Sequence, residues 1–189
     1  MDNERLNILR LLIESQEKAF SIRQIGIQRK INYKTAYTSL KALAEEGIVT
    51  QKKHGNTTIC SFSHKFNHSV FHVEYARLND LLKNKDLLVL YSRLSKVNGQ
   101  FILLLFGSYA KGQPKKGSDI DLLLISDSPK PIEEQISLLP LNIHLTHISY
   151  DNFRSMLNSK EFSVVSEAVK HNILLFGIED YYRMINNAR

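Results

Sequence analysis

The longest unbroken apolar run in this chain is Phe101 to Phe106, and a second run, Leu122 to Ile125, follows it after a mostly polar stretch. Neither run approaches the roughly 20 residues that span a bilayer, so we expect no membrane partner. Short runs without a polar residue on either face are typical of strands that are covered on both sides. The sequence therefore predicts a C-terminal sheet flanked by helices, of the α+β or α/β class.

Charge divides the chain into two unlike parts. Residues 1–66 contain 11 Lys+Arg and 6 Asp+Glu, whereas residues 67–189 contain 14 and 13. The basic part favours an anionic partner, most simply nucleic acid, although a solvated basic face explains the charge equally well. The apolar fraction of 43% excludes disorder as the main state. The single cysteine, Cys60, excludes a disulfide scaffold and favours the reducing cytoplasm.

The N-terminal part has the pattern of helices followed by a hairpin. Apolar spacing and capping residues predict helices over residues 3–14, about 22–29 and about 33–46. Ser21 begins a capping box for the second of these, and Asn32 is an N-cap candidate for the third. Two β-prone runs on either side of residues 53–56 then predict a β-hairpin.

The segment from Ser21 to Phe62 resembles the winged helix-turn-helix transcription regulators. The resemblance implies that the third helix enters the major groove of DNA while the hairpin, or wing, contacts phosphates. The residues placed for these contacts are Lys34, Thr38 and Lys41 on the helix and Lys52 and Lys53 on the wing. No arginine lies on that helix, so the bidentate contact with guanine is missing there. A winged helix used for protein contacts or dimerisation is the alternative, which leaves a homodimer open.

Residues 68–97 have the pattern of one long or broken helix, which we interpret as a connector between two modules. His68 and His72 stand four residues apart, a spacing that can hold a metal ion. No third ligand is evident near them in the sequence, which favours a plain helix surface.

A polar motif separates the two apolar strands of the C-terminal part. The first strand runs into Gly107-Ser108, and ten residues lie between Ser108 and Asp119, which begins an Asp-x-Asp motif ending at Asp121. Alternate residues of a strand project from one face, so the two carboxylates can share a hard cation such as Mg²⁺. A carboxylate that ends a loop or caps a turn is an alternative explanation for Asp119. Asp121, however, lies inside an apolar run, where a carboxylate without a cation is costly.

This combination of dipeptide, spacing, Asp-x-Asp and flanking strands resembles the minimal nucleotidyltransferases of the DNA-polymerase-beta superfamily, over about residues 100–176. The resemblance implies Mg²⁺-dependent transfer of a nucleoside monophosphate from a triphosphate such as ATP to a hydroxyl. AMP is the first candidate for the transferred group. The acceptor can be a partner protein, a nucleic-acid end or a small molecule. Asp119 and Asp121 would then hold the metal, and Gly107, Ser108 and Lys111 the triphosphate. Lys115 and Lys116 are further charge partners, and for all three lysines, Lys111 included, a solvated loop is the simpler interpretation.

The family has a further acid on a later strand, which we expect here over residues 141–149. That segment contains no Asp or Glu, and His144 is our candidate for the missing catalytic position. Asp151 is the alternative, which reaches the site only if the loop after the strand folds back. A neutral histidine can bind a metal or accept a proton, although it prefers softer ions than Mg²⁺. Two other functions therefore stay open: a non-catalytic DNA-binding regulator and an antitoxin-like partner, either of which would use the transferase fold to bind a nucleotide or a protein.

The sequence thus predicts a two-domain protein of mixed α and β structure. A winged helix-turn-helix domain is expected at residues 1–66 and a helical connector at 67–98. A nucleotidyltransferase-like domain, with a mixed sheet flanked by helices, is expected at 99–189.

Overall fold

The computed structural model describes residues 3–115, 117–158 and 164–188. Lys116, one of the predicted charge partners, lies outside the described residues. The chain divides into two compact units, Met1–Val73 and Glu74–Arg189. Within the described ranges, no helix is both long and apolar enough to cross a membrane.

The first unit consists of helices and a small antiparallel sheet. Its elements are α1 (Asn3–Glu14), β1 (Phe20–Ser21), α2 (Ile22–Arg29), α3 (Tyr33–Glu45), β2 (Val49–His54), β3 (Thr57–Phe62) and the start of α4 (His68–Leu81). The strand order is β1–β3–β2, and β2 pairs with β3 from Val49 opposite Phe62 to His54 opposite Thr57. Fully buried side chains from the first three helices form the centre of the core: Ile8, Leu9, Leu12, Ile25, Leu40 and Leu43.

Side-chain caps explain where α2 and α3 begin. The Ser21 hydroxyl accepts from the backbone N–H of Gln24 at 3.2 Å, and the Ser21 N–H donates to the Gln24 side chain at 2.7 Å. The Asn32 side chain accepts from the N–H of Thr35 at 2.8 Å. Both predicted caps are confirmed. The sequence does not predict β1, because a two-residue strand has no alternating pattern to detect.

The second unit is a four-stranded mixed sheet with helices. Its elements after α4 are α5 (Lys85–Leu94), β4 (Ile102–Phe106), α6 (Gly107–Ala110), β5 (Ile120–Ile125), α7 (Lys130–Ser137), β6 (Ile143–Ile148), α8 (Tyr150–Asn158), α9 (Val164–Lys170), β7 (Ile173–Phe176) and α10 (Ile178–Asn187). The strand order is β6–β5–β4–β7. β4 is antiparallel to β5 and to β7, whereas β5 is parallel to β6.

The core of the second unit includes the two predicted strands and the helices before them. Every residue of β4 is buried, and so is every residue of β5 except Asp121. The helical segment at 68–97 is broken, because the Asn84 side chain caps α5 by accepting from the N–H of Asp86 at 2.9 Å. One cluster joins buried leucines of α4 and α5 to leucines of the sheet: Leu78, Leu87, Leu90, Leu94, Leu103, Leu105, Leu122 and Leu124.

A buried polar network links α4 with α10 inside the second unit. Arg77 Nη1 lies 2.6 Å from Glu74 Oε2, and the Tyr182 hydroxyl donates to Glu74 Oε1 at 2.5 Å. Arg77 also donates through Nη2 to the backbone carbonyl of Asn172. Burial, followed by the neighbouring Glu74 carboxylate, raises the pKa of Tyr182 well above its usual value. The network therefore satisfies a charged pair that would be costly to bury alone.

Candidate functional site

The turn after β4 brings the backbone against a carboxylate. Gly107 follows the buried strand with a φ of 69°, a conformation that favours glycine. An ideal Cβ on Gly107 would overlap Oδ2 of Asp121 and lie 3.0 Å from its Cγ. Any side chain at Gly107 is therefore opposed twice, by the backbone conformation and by Asp121.

Strand pairing places two of the predicted residues side by side. Asp121 lies opposite Phe106 of β4 and opposite His144 of the edge strand β6. The Nδ1 atom of His144 is 3.4 Å from Oδ1 of Asp121, and the two side chains are 65% and 27% exposed. The pair is thus open to solvent on the side of the sheet edge, where a substrate can reach it.

Asp119 lies just before β5 and is exposed. The side-chain amide of Asn142 donates to its Oδ1 atom, and the Asn142 carbonyl accepts from the N–H of Ile120 at 2.9 Å. The sequence places Asn142 on the same strand face as His144 but does not predict its contact with Asp119. That contact depends on the pairing of two strands distant in the chain, for which no local pattern exists.

The remaining predicted triphosphate contacts lie on α6 and directly after it. Ser108 is half-buried in the first turn after Gly107. Lys111 is exposed, and its Nζ lies 3.3 Å from Oε1 of Glu167 on α9. Sequence reasoning did not identify Glu167, because the two residues are far apart in the chain. An exposed pair of this kind is weak, so the ammonium group can leave it for a phosphate.

The donor set fits a hard cation whose shell is completed by other molecules. Among residues 3–115, 117–158 and 164–188, no three His, Cys, Asp or Glu side chains form a group that could hold a metal ion. Mg²⁺ nevertheless commonly binds one or two carboxylates and fills its other positions with water and substrate phosphate. Asp119, just before β5, and Asp121, its second residue, can supply those carboxylates.

The predicted nucleic-acid contacts all lie on the surface of the first unit. The exposed side chains are Lys34, Thr38 and Lys41 on α3 and Lys52 and Lys53 on β2. The Thr38 hydroxyl shares its proton between the carbonyls of Lys34, at 3.0 Å, and Thr35, at 3.1 Å. Thr38 therefore presents its methyl group and oxygen, rather than a free donor, to a partner.

The glycine turn, the Asp-x-Asp motif and His144 belong to one continuous segment of the second unit. Residues 86–173 match the nucleotidyltransferase domain family. The match covers somewhat less than half of the chain and includes Gly107, Ser108, Asp119, Asp121 and His144. The expected resemblance is thereby confirmed, for this segment, at the level of a nucleotidyltransferase domain.

Solved structures give only weak likenesses. DNA-binding protein Sso10a-2 from Sulfolobus solfataricus is 19% identical over 52% of this chain and 100% of its own, with a TM-score of 0.34. A hypothetical protein, PyrSV_gp04 from Pyrobaculum spherical virus, is 13% identical over 90% of this chain and 84% of its own, with a TM-score of 0.31. The archaeal chromatin protein TrmBL2 is 11% identical over 82% and 75%, with a TM-score of 0.25. These scores are too low to support any inference, and no curated protein sequence matches the chain.

Proposed function

We propose that this protein is a Mg²⁺-dependent nucleotidyltransferase that moves a nucleoside monophosphate from a triphosphate to a hydroxyl acceptor. AMP is the first candidate for the transferred group. The observation that supports this proposal most is that Asp121 lies against both Gly107 and His144 inside the segment that matches a nucleotidyltransferase domain. Nucleotidyl transfer needs a carboxylate that binds the metal and a group that accepts the proton of the attacking hydroxyl. It also needs a backbone turn without a side chain, which the triphosphate can approach closely.

Each residue has a distinct role in this proposal. Asp119 and Asp121 hold the metal, which supplies positive charge to the phosphate oxygens when it is bound. Gly107 allows the triphosphate to approach the backbone, and the hydroxyl of Ser108 donates to a phosphate oxygen. Lys111 leaves its ion pair with Glu167 and binds the triphosphate. His144, beside Asp121 and exposed, accepts the proton of the attacking hydroxyl.

The first unit, in this proposal, is a winged helix that binds DNA. Its basic surplus lies over residues 1–66, and the lysines of α3 and β2 are exposed. α3 is the helix that enters the major groove, and the β2–β3 hairpin is the wing. DNA binding would bring the transferase domain to a nucleic-acid end or to a protein assembled on DNA.

One observation favours a second candidate, a regulator that binds nucleotide without transferring it. On β6, His144 and not an acid lies beside Asp121, whereas the resemblance implies a carboxylate in the catalytic position. A transferase domain with a weakened metal site can still bind a triphosphate, or mask a partner protein as an antitoxin does, while the first unit binds DNA.

Calorimetry with ATP and Mg²⁺ tests the metal and nucleotide roles. Asp119→Ala and Asp121→Ala should each remove the Mg²⁺-dependent part of ATP binding, because each takes away a carboxylate of the site. Asp80→Ala, which removes an exposed aspartate of α4 paired with Lys83, is the matched control and should bind like the wild type. Unchanged affinity in either site variant would refute the metal assignment.

A further inference from the structure

The surface of α2 and α3 combines exposed apolar side chains with a basic rim. Ile27, Tyr33 and Tyr37 are 67%, 60% and 47% exposed. The rings of Tyr33 and Tyr37 lie nearly parallel, with centroids 6.4 Å apart. Ile27 and Tyr33 line one cleft of about 260 Å³, which Arg23 and Lys30 also border. We call the three apolar side chains together the α2–α3 apolar face.

The α3 side of this face lacks the groups that identify guanine or adenine by paired hydrogen bonds, whereas Arg23 of α2 borders the cleft. α3 contains no Arg, Asn or Gln, the side chains that bind those bases bidentately. The proton of Thr38 is already used within the helix. Lys34 and Lys41 are point charges, which suit phosphate better than a particular base edge. What α3 can offer to a base is therefore mainly apolar contact.

We propose that the α2–α3 apolar face contacts thymine methyl groups in the major groove of double-stranded DNA. This inference rests on the proposed DNA binding of the first unit and defines which DNA that unit prefers. The methyl group of thymine is the apolar group that a base edge presents in the major groove. Tyr33 and Tyr37 contact such methyl groups with their rings, while Lys34 and Lys41 contact the flanking phosphates.

Charge complementarity favours DNA as the occupant of this face. Exposed apolar surface with a polar rim marks interaction sites. Here Arg23 and Lys30 border the cleft, and Lys34 and Lys41 lie one turn from Tyr37 on α3, where Lys41 also has an exposed ion pair with Glu45 at 3.9 Å. A polyanion with apolar groups at the bottom of a groove matches both features. A helix such as α3 fits the major groove of duplex DNA, which makes duplex DNA the better match than a single strand.

The experiment measures binding of the full chain to short duplexes of equal length and charge. The first duplex is rich in A·T pairs, and the second replaces every thymine by uracil, which removes the methyl group and keeps all hydrogen-bonding groups. We expect affinity to fall about fourfold for each buried methyl group that is lost. A G·C-rich duplex should bind weakly, and 5-methylcytosine, which restores a methyl group in the major groove, should strengthen it.

Variants assign the effect to the α2–α3 apolar face. Tyr37→Ala should reduce the difference between thymine and uracil duplexes, and Tyr33→Ala combined with Tyr37→Ala should abolish it. Tyr37→Phe, which keeps the ring and loses only the hydroxyl, should retain it. Lys41→Ala is the matched control on the same helix and should weaken all duplexes by the same factor. Because these side chains are exposed, the substitutions leave the core unchanged.

The outcomes separate this inference from the function on which it rests. Equal affinity for thymine and uracil duplexes would overturn the methyl contact while leaving DNA binding intact. A thymine preference that survives the combined Tyr33→Ala and Tyr37→Ala substitutions would overturn the role of the tyrosines. Tighter binding to single strands, without dependence on the methyl group, would overturn it in favour of base stacking. No binding to any duplex at low salt, with the protein folded, would overturn both proposals.

Discussion

At the residue scale, the position of the Asp121 carboxylate explains why residue 107 is a glycine. The carboxylate occupies the space that a Cβ at position 107 would fill, and the backbone there has a positive φ. The Gly-Ser and Asp-x-Asp motifs can be recognised in the sequence, because each is contiguous in the chain. The sequence does not predict their contact, which depends on Phe106 and Asp121 being opposite one another in the sheet.

Replacing Gly107 by alanine should therefore damage stability and site together. We expect Gly107→Ala to lower the free energy of unfolding by about 1–3 kcal/mol and to displace the Asp121 carboxylate, with loss of Mg²⁺-dependent nucleotide binding. Denaturant unfolding and calorimetry measure the two effects.

Gly112→Ala is the matched control for this prediction. Gly112 has a nearly identical φ of 67°, but among the described residues nothing lies within 4 Å of an ideal Cβ there. It should show the backbone cost alone and keep nucleotide binding. Equal effects of the two substitutions on nucleotide binding would contradict a specific contact between residue 107 and Asp121.

At the scale of elements, local patterns are predictable and long-range pairing is not. The caps at Ser21 and Asn32 follow from a few neighbouring residues, and the structure confirms them. The position of the break within 68–97 depends on one cap, Asn84, which competes with a continuous helical pattern. The neighbourhood of Asp121 and His144 follows from the parallel pairing of β5 and β6, which no short segment encodes.

The network between α4 and α10 is a second long-range feature with a measurable effect. Tyr182→Phe removes the hydroxyl that donates to the buried carboxylate of Glu74. Leaving that acceptor unsatisfied should lower the free energy of unfolding by about 1–3 kcal/mol. Tyr91→Phe, which changes a partly exposed tyrosine of α5, should have little effect. Equal stability of wild type and Tyr182→Phe at neutral pH would contradict the network's contribution.

The raised pKa of Tyr182 predicts that the folded protein loses stability at alkaline pH. Because the pKa of Tyr182 is raised in the folded state, its contribution is complete below the unfolded value of about 10 and is lost as pH rises towards the folded value. The Tyr182→Phe protein should therefore lose less stability than the wild type when pH is raised above about 10. Parallel pH profiles would contradict this linkage.

At the scale of the whole molecule, the basic charge belongs to the first unit. Residues 67–73 add no charged side chain, so the surplus counted over residues 1–66 is that of the entire unit. DNA binding should weaken steeply with salt. Each of Lys34→Ala, Lys41→Ala, Lys52→Ala and Lys53→Ala should reduce the log–log slope by about one unit. Anisotropy titrations over a range of salt concentrations measure the slope.

Lys83→Ala is the control for the salt dependence. Lys83 is an exposed lysine of the second unit that forms an ion pair with Asp80. Lys83→Ala changes the net charge by the same amount as each of the other four lysine substitutions. It should leave the log–log slope of affinity against salt concentration unaltered. A slope that falls equally for all five variants would indicate a general charge effect and would refute the assigned phosphate contacts.

The central claim, that the second unit transfers nucleotides with His144 as the proton acceptor, is tested most directly by label transfer from α-labelled ATP. The assay compares the wild type with His144→Ala and His144→Asp, using protein and nucleic-acid acceptors and Mg²⁺. We predict transfer by the wild type, none by His144→Ala, and equal or greater transfer by His144→Asp, which supplies the carboxylate that the resemblance implies. Nucleotide binding without transfer by the wild type, or wild-type transfer that survives His144→Ala, would contradict the claim.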